Sequence, residues 1–159
     1  MYQIGDKIAH PMHGAGIIES ITEQSHSGKT QLYYVVRMTV GTMTVMVPCE
    51  NCDSVGVRDI ITAEQADALL SSLPQLQVDE TQNWNRRFRE NLLKIKSGDL
   101  IQVAEVAKGL LRRETRRGLS TGERKLLASA RQILISEIML AKSASYDEVV
   151  HMVDEGLKK

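Results

Sequence analysis

The chain has 159 residues, 42% of them hydrophobic and 25% charged, which is typical of a globular protein with room for one domain or two small ones. No apolar run approaches the roughly 18 residues needed to cross a bilayer, and the first residues lack the pattern of a signal peptide. We therefore expect a cytoplasmic protein that makes no membrane contact. Two cysteines do not make a disulfide framework.

The formal net charge of zero hides an uneven distribution of charge along the chain. Residues 1–78 carry four Lys/Arg against eight Asp/Glu, whereas residues 84–131 carry thirteen Lys/Arg against five Asp/Glu. An acidic part joined to a basic part suggests two different partners, because each sign of charge attracts its own kind of surface.

Residues 1–60 have the pattern of short strands, in which β-branched and aromatic residues alternate with polar ones. Residues 33–38 and 43–47 are the clearest strands, and glycine-containing turns separate the segments. About five strands in a segment of this length predict a small β barrel of SH3 or Tudor type.

From Thr62 onward the period becomes helical, and four potential helix starts carry a capping residue with Gln or Glu three positions later. These pairs are Thr62 with Gln65, Asp99 with Gln102, Ser120 with Glu123, and Ser145 with Glu148. We predict a short helix and linker over residues 61–83 and an all-α helical bundle over residues 84–159. On the helix that follows Asp99, the apolar stripe leaves Lys108 outside the buried face. The predicted fold class is α+β, with two domains.

The segment 83–89 holds the only Trp and the only Phe of the chain, Trp84 and Phe88, among three arginines, Arg86, Arg87 and Arg89. Apolar wedges flanked by arginine are used to enter a DNA minor groove and unstack a base step. The spacing of four is also that of two aromatic residues packing together in a helical core, with the arginines as a solvated face. The segment alone leaves both interpretations open and favours the core.

A second basic cluster spans the end of one predicted helix and the start of the next. Cations at a helix C-terminus favour the helix dipole, but Arg124 and Lys125 open a helix and have no such reason to be there. Together with the free amides of that helix start, they are candidates for a phosphate clamp, which binds DNA without reading its sequence.

Two short motifs could hold a metal, His10-Pro11-Met12-His13 and Cys49-Glu50-Asn51-Cys52. A tetrahedral zinc site built from both, a redox role for the cysteine pair, and small residues near a strand end are the three alternatives. The last is favoured, because His13-Gly14 has the pattern of a hairpin turn and paired zinc knuckles are normally rich in cysteine. We expect no metal and no cofactor.

Motifs of catalysis are missing from the sequence: there is no Gly-rich phosphate loop, nucleophile elbow, zinc-protease helix or kinase signature. The acidic residues are scattered among helix caps and exposed faces, with no close pair suited to general acid/base work. We expect a protein that is not an enzyme.

Four stretches of the chain, in order, resemble the CarD/CdnL family of bacterial transcription regulators. They are Ile4-Gly5-Asp6 with Pro11-Met12-His13-Gly14; Val45-Met46-Val47-Pro48 with Glu50-Asn51 and Val55-Gly56-Val57-Arg58; Asn83-Trp84-Asn85-Arg86-Arg87; and segments from Ser97-Gly98-Asp99 through Arg117-Gly118-Leu119-Ser120 to Gln132-Ile133-Leu134. The resemblance covers nearly the whole chain.

This resemblance implies a Tudor-like RNA polymerase interaction domain, shared with transcription-repair coupling factors, followed by a helical DNA-binding domain. Family members bind the polymerase β subunit and stabilise the open promoter complex with a Trp wedged into the minor groove. The matching residue is Trp84, with Arg86 and Arg87 beside it and Arg124 at a basic position that contacts DNA in the family. From the basic pattern we expect Arg89 and Lys125 as further DNA contacts.

For the polymerase, the resemblance and the strand pattern indicate an exposed strand edge at Met43, Thr44, Val45, Met46 and Val47. Gln24 and Met46 occupy positions where relatives place polymerase-contacting arginines, so we expect docking here either to be weaker or to rely on main-chain pairing. The alternative is a polymerase-binding adaptor that never contacts DNA. We expect a monomer that binds promoter DNA without sequence specificity.

Overall fold

The computed structural model describes residues 1–78 and 83–159, which form an antiparallel sheet followed by a helical bundle. The strands are β1 (Lys7–His10), β2 (Gly14–His26), β3 (Lys29–Met38), β4 (Thr44–Pro48) and β5 (Arg58–Asp59). The helices are α1 (Cys52–Val55), α2 (Ala63–Ser72), α3 (Trp84–Lys96), α4 (Leu100–Arg117), α5 (Thr121–Lys142) and α6 (Tyr146–Lys158), with a short 3-10 helix at Leu73–Gln75. The predicted α+β fold with two parts is confirmed.

The five strands form one sheet in the order β4-β3-β2-β1-β5, so β4 lies at an edge. Alternation along β3 and β4 directs Tyr34, Val36 and Val47 inward, where they pack with Ile8 and Ile18. This small core stabilises the N-terminal part because it removes apolar surface from water.

The helices pack around α5, whose central turns from Ile133 to Ile138 are buried. All four predicted capping residues accept a hydrogen bond from a backbone N–H of the first turn. At Thr62 the full reciprocal capping box forms with Gln65. None of the described helices is both long and apolar enough to cross a membrane.

The segment predicted as a short helix and linker contributes to the bundle. Ala66 and Leu69 of α2, with Leu73 just after it, belong to the buried core of the helical part. Lys108 differs from the sequence expectation, because it is fully buried and its Nζ donates to the carbonyls of Leu73 (2.7 Å) and Pro74 (2.9 Å). This buried ammonium ties α4 to the end of the preceding segment.

The two parts of the chain are joined by a polar contact with the centre of α5. The Arg58 guanidinium makes two hydrogen bonds to the Glu137 carboxylate, at 2.6 and 2.9 Å, and two to the Gly98 carbonyl. Nearby, the backbone N–H of Ala15 donates to Ser136 Oγ at 2.8 Å. Because Glu137 is fully buried, this paired contact fixes how the sheet sits on the bundle.

Candidate nucleic-acid interface

Trp84 begins α3 and lies at the surface of the bundle. The Asn83 side chain caps this helix by accepting from the Arg86 N–H at 2.9 Å. The indole of Trp84 is 43% exposed and stacks on the Phe88 ring, with centroids 5.1 Å apart and planes inclined by 16°. Phe88 in turn packs against the helical core. Of the two residues, Phe88 therefore fulfils the core role, and Trp84 remains accessible to a ligand.

The start of α5 lies directly beside the indole. Trp84 Nε1 donates to Ser120 Oγ at 3.2 Å, and Ser120 is the residue that caps α5. The first turns of α3 and α5 therefore meet at one place on the surface. Helix starts carry amide N–H groups without partners in the helix and the positive end of the dipole, both of which favour nearby negative charge.

The expected DNA-contacting cations lie in two separate surface depressions. Arg86 and Arg89 line an open depression with Trp84. Arg124 instead faces a groove between α4, α5 and α6, and Lys125 is exposed beside it. Arg86 pairs with Glu90 at 3.1 Å, but both side chains are well exposed, so water competes with this pair.

Arg87 is placed differently from the other arginines. It is only 9% exposed, and its Nε donates to Glu123 Oε2 at 3.0 Å. The guanidinium therefore joins α3 to α5 beneath the surface. Direct contact of Arg87 with DNA stays a prediction, and this burial does not favour it.

Glu123 is the buried anion at this junction, with 1% of its surface exposed. Burial alone would raise the pKa of Glu123, but the hydrogen bond and positive charge of Arg87 outweigh it, with help from Ser120 and Arg113, and lower the pKa. The carboxylate therefore remains ionised. The capping pattern had singled out Ser120 and Glu123, but only as a helix start, and the contact of Ser120 with Trp84 left no local signal in the sequence.

The predicted docking strand β4 is a free edge, since within residues 1–78 and 83–159 it pairs only with β3. Met38 donates to the Met43 carbonyl, and Cys49 donates to that of Leu32. Hydrogen-bonded pairs alternate in an antiparallel ladder, so Thr44 and Met46 direct their N–H and C=O groups away from β3. Pro48 ends the strand and has no N–H to offer.

The other expected polymerase contacts divide between the two faces of the sheet. Met46 pairs through Val35 with Ser20, and Gln24 lies on the same outer face four residues along β2. Val45 and Val47 point to the inner face, and Val47 is 1% exposed. Met46 thus lies on the edge strand itself and presents its side chain to the outer face, whereas Gln24 lies two strands away on β2 and Val47 is buried.

The histidine and cysteine motifs do not come together. His10 and His13 have ring centroids 4.7 Å apart, and no three His, Cys, Asp or Glu side chains of the described chain form a group suited to a metal ion. Cys49 and Cys52 are free thiols, and burial raises the pKa of Cys49. A raised pKa lowers the thiolate fraction, which argues against a reactive cysteine.

Comparison with known proteins covers both parts of this architecture. Residues 2–61 match the CarD-like/TRCF RID domain, and residues 68–154 match the CarD C-terminal domain. The chain is 36% identical over 149 residues to the putative transcription factor YdeB of Bacillus subtilis strain 168, covering 94% of this chain and 97% of that protein.

These matches place the chain in a class of transcription-associated proteins that interact with RNA polymerase. More narrowly, the chain belongs to the CarD family, as its sequence resemblance had indicated.

Proposed function

We propose that this protein docks on the β subunit of RNA polymerase through the β4 edge and stabilises the open promoter complex by inserting Trp84 into the minor groove. The observation that carries the proposal is an accessible indole at the meeting point of two helix starts, flanked by exposed Arg86. The alternative is an adaptor that binds polymerase without contacting DNA.

The β4 edge supports docking by strand addition. Thr44 and Met46 offer outward main-chain groups that a strand of the β subunit can pair with. Main-chain pairing does not depend on arginine side chains, which fits Gln24 and Met46 at positions where relatives carry them.

The charge and shape of the helical part support contact with DNA. Arg86, Arg89, Arg124 and Lys125 are exposed cations around the starts of α3 and α5, and phosphate contacts of this kind do not read sequence. Docking to polymerase raises the local concentration of this weak DNA binder, so few contacts suffice. An indole that fits only opened DNA shifts the population toward the open state.

The decisive test is a promoter-opening assay with the matching polymerase. Trp84→Ala is expected to shorten the lifetime of the open complex strongly, and Arg86→Ala to shorten it less. Tyr146→Ala is the matched control, because Tyr146 is likewise an exposed aromatic (46%) at the first position of a capped helix, with Ser145 as its cap. If Trp84→Ala behaves like Tyr146→Ala, the adaptor alternative is supported.

The docking edge is tested by removing one main-chain donor. Met46→Pro deletes an N–H that points away from β3, so the sheet itself keeps its hydrogen bonds. We expect Met46→Pro to weaken binding to the isolated β subunit more than Met46→Ala does. Equal binding by the two variants would indicate that the partner uses the side chain or another surface.

A further inference from the structure

Trp84 is held at two points in the unbound protein. Its Nε1 donates to Ser120 Oγ, and one face of its ring lies on Phe88. An exposed aromatic side chain would otherwise exchange between staggered rotamers. With both contacts in place, the indole keeps one orientation and leaves its other face open.

The Ser120 hydroxyl is the centre of this arrangement. It accepts from Trp84 Nε1 and from the Glu123 N–H, each at 3.2 Å, and donates to Glu123 Oε1 at 3.3 Å. A hydroxyl has one proton to donate and two acceptor positions, so all are in use. Because the proton goes to Glu123, the lone pairs of Ser120 face the indole N–H.

Glu123 is itself held by Arg87, which lies three residues after Trp84 on the same helix. The Arg87 Nε to Glu123 Oε2 hydrogen bond closes a ring of four side chains between α3 and α5. The ionised carboxylate has acceptor positions on both oxygens, and it accepts from Arg87 on one and from Ser120 on the other. The buried ion pair therefore acts on the surface indole through one hydroxyl.

We propose that Arg87, Glu123 and Ser120 are positioning residues that hold the Trp84 indole in its DNA-binding orientation before DNA arrives. This rests on the proposed function of Trp84, and it gives Arg87 a role through Glu123 instead of on a phosphate. A side chain that is already ordered loses less conformational entropy on insertion, so the open complex gains stability.

The first test uses the intrinsic fluorescence of Trp84, the only Trp of the chain. Ser145 is a matched control, because it also caps a helix, accepts from the Glu148 N–H at 3.2 Å and donates to Glu148 Oε1 at 3.1 Å, but has no indole attached. Ser120→Ala and Ser145→Ala should lower the unfolding midpoint by similar amounts.

Only Ser120→Ala should shift the Trp84 emission to the red and increase its quenching by acrylamide. Ser120→Thr, which keeps the hydroxyl, should restore the wild-type emission. Wild-type emission and quenching in folded Ser120→Ala would overturn the proposal.

The second test addresses the buried pair. Arg87→Met keeps the aliphatic stem but removes the guanidinium, and should change Trp84 emission in the same direction as Ser120→Ala. Arg58→Met is the control, since it removes the partner of the other buried glutamate of α5, Glu137, and should leave the emission unchanged. Equal changes in the two variants would mean that the emission responds to a general loss of packing. That result would refute the proposal that the buried pair acts on Trp84 through Ser120.

The promoter-opening assay separates this proposal from the proposed function. Ser120→Ala should shorten the open-complex lifetime several-fold, less than Trp84→Ala, and should add nothing to Trp84→Phe, which has no N–H to bind. If Ser120→Ala changes the fluorescence but Trp84→Ala leaves promoter opening intact, the wedge function fails while the orientation of the indole stands. If Trp84→Ala abolishes stabilisation and Ser120→Ala changes neither readout, the positioning fails alone.

Discussion

Helix α5 carries two buried glutamates, each paired with an arginine from another element, and they differ in what surrounds the pair. Glu137 is bound by Arg58, whose side chain is 34% exposed, and joins the sheet to the bundle. Glu123 is bound by Arg87, whose side chain is 11% exposed, and lies under Trp84 with Arg113 at 3.8 Å as a second cation. An arginine–glutamate ion pair thus fixes each of the two interfaces. The pairs differ in how far water reaches the arginine, since Arg58 is more exposed than Arg87.

The largest expected effects come from breaking each pair on either side. Loss of one partner of a buried pair costs about 3–5 kcal/mol, because an unpaired charge is left behind. Glu123→Ala should destabilise more than Glu137→Ala, since Arg87 is less able than Arg58 to reach water. Arg58→Met should destabilise more than Arg87→Met, since Glu123 keeps Arg113 nearby. Urea unfolding measures the loss of unfolding free energy in all four variants. The reasoning would be refuted if one pair gave the larger loss for both its glutamate variant and its arginine variant.

The next effect isolates the close approach of the sheet to α5. A Cβ at Gly14 would lie 2.4 Å from Ser136 Oγ, while one at Gly28 would meet nothing within 4 Å, although both residues have positive φ. Gly28→Ala should therefore cost about 1 kcal/mol from backbone strain alone. Gly14→Ala should cost about 1–3 kcal/mol more, from overpacking. Equal losses in unfolding free energy would mean that the two parts separate easily.

Acid should destabilise the two interfaces in different pH ranges. Burial, then the nearby His13, lowers the pKa of His10 to about 4, and His10 lies beside the contact between the sheet and α5. The unfolded chain binds this proton below pH 6.5 and the folded one only below about 4, so stability falls as pH drops between these values.

His10→Asn should make the unfolding free energy depend less on pH between 6.5 and about 4. His151→Asn, at an exposed helical position, should leave this pH dependence unchanged. At Glu123 the lowered pKa means that its stabilisation is present above the ordinary glutamate range. It is lost only as pH falls through the lowered value. A variant His10→Asn with an unaltered pH profile would contradict the assignment to His10.

The smallest effect is expected at the exposed pair of Arg86 with Glu90. Arg86→Ala should change the unfolding free energy by less than about 0.5 kcal/mol, because an exposed i,i+4 pair contributes little. Its effect on promoter opening should be larger than its effect on stability. A large loss of stability would place Arg86 among the structural arginines instead.

Local patterns predicted the elements well. Strand alternation and turn residues gave the five strands, and the capping residues gave the helix starts at Thr62, Asp99, Ser120 and Ser145. These features depend on residues within a few positions of one another, so they can be predicted from the sequence.

The buried charges were not predicted, because their partners are distant in the chain. Arg87 and Glu123 are 36 residues apart, and Lys108 lies 35 residues from the Leu73 carbonyl that it binds. On a helical projection both cations fall beside the apolar stripe and are expected to be solvated. Only tertiary packing brings the Glu123 carboxylate and the Leu73 carbonyl to these cations. Residue spacing in the sequence does not predict such contacts.

The proline at the end of β4 limits how much the sheet can grow. Beyond Thr44 and Met46, an incoming strand finds no donor at Pro48, so the added ladder stops after a few bonds. A second copy of the chain meets the same restriction, which protects this exposed edge from fibrous stacking. A short ladder is held by few hydrogen bonds, so a strand added to β4 would also detach readily.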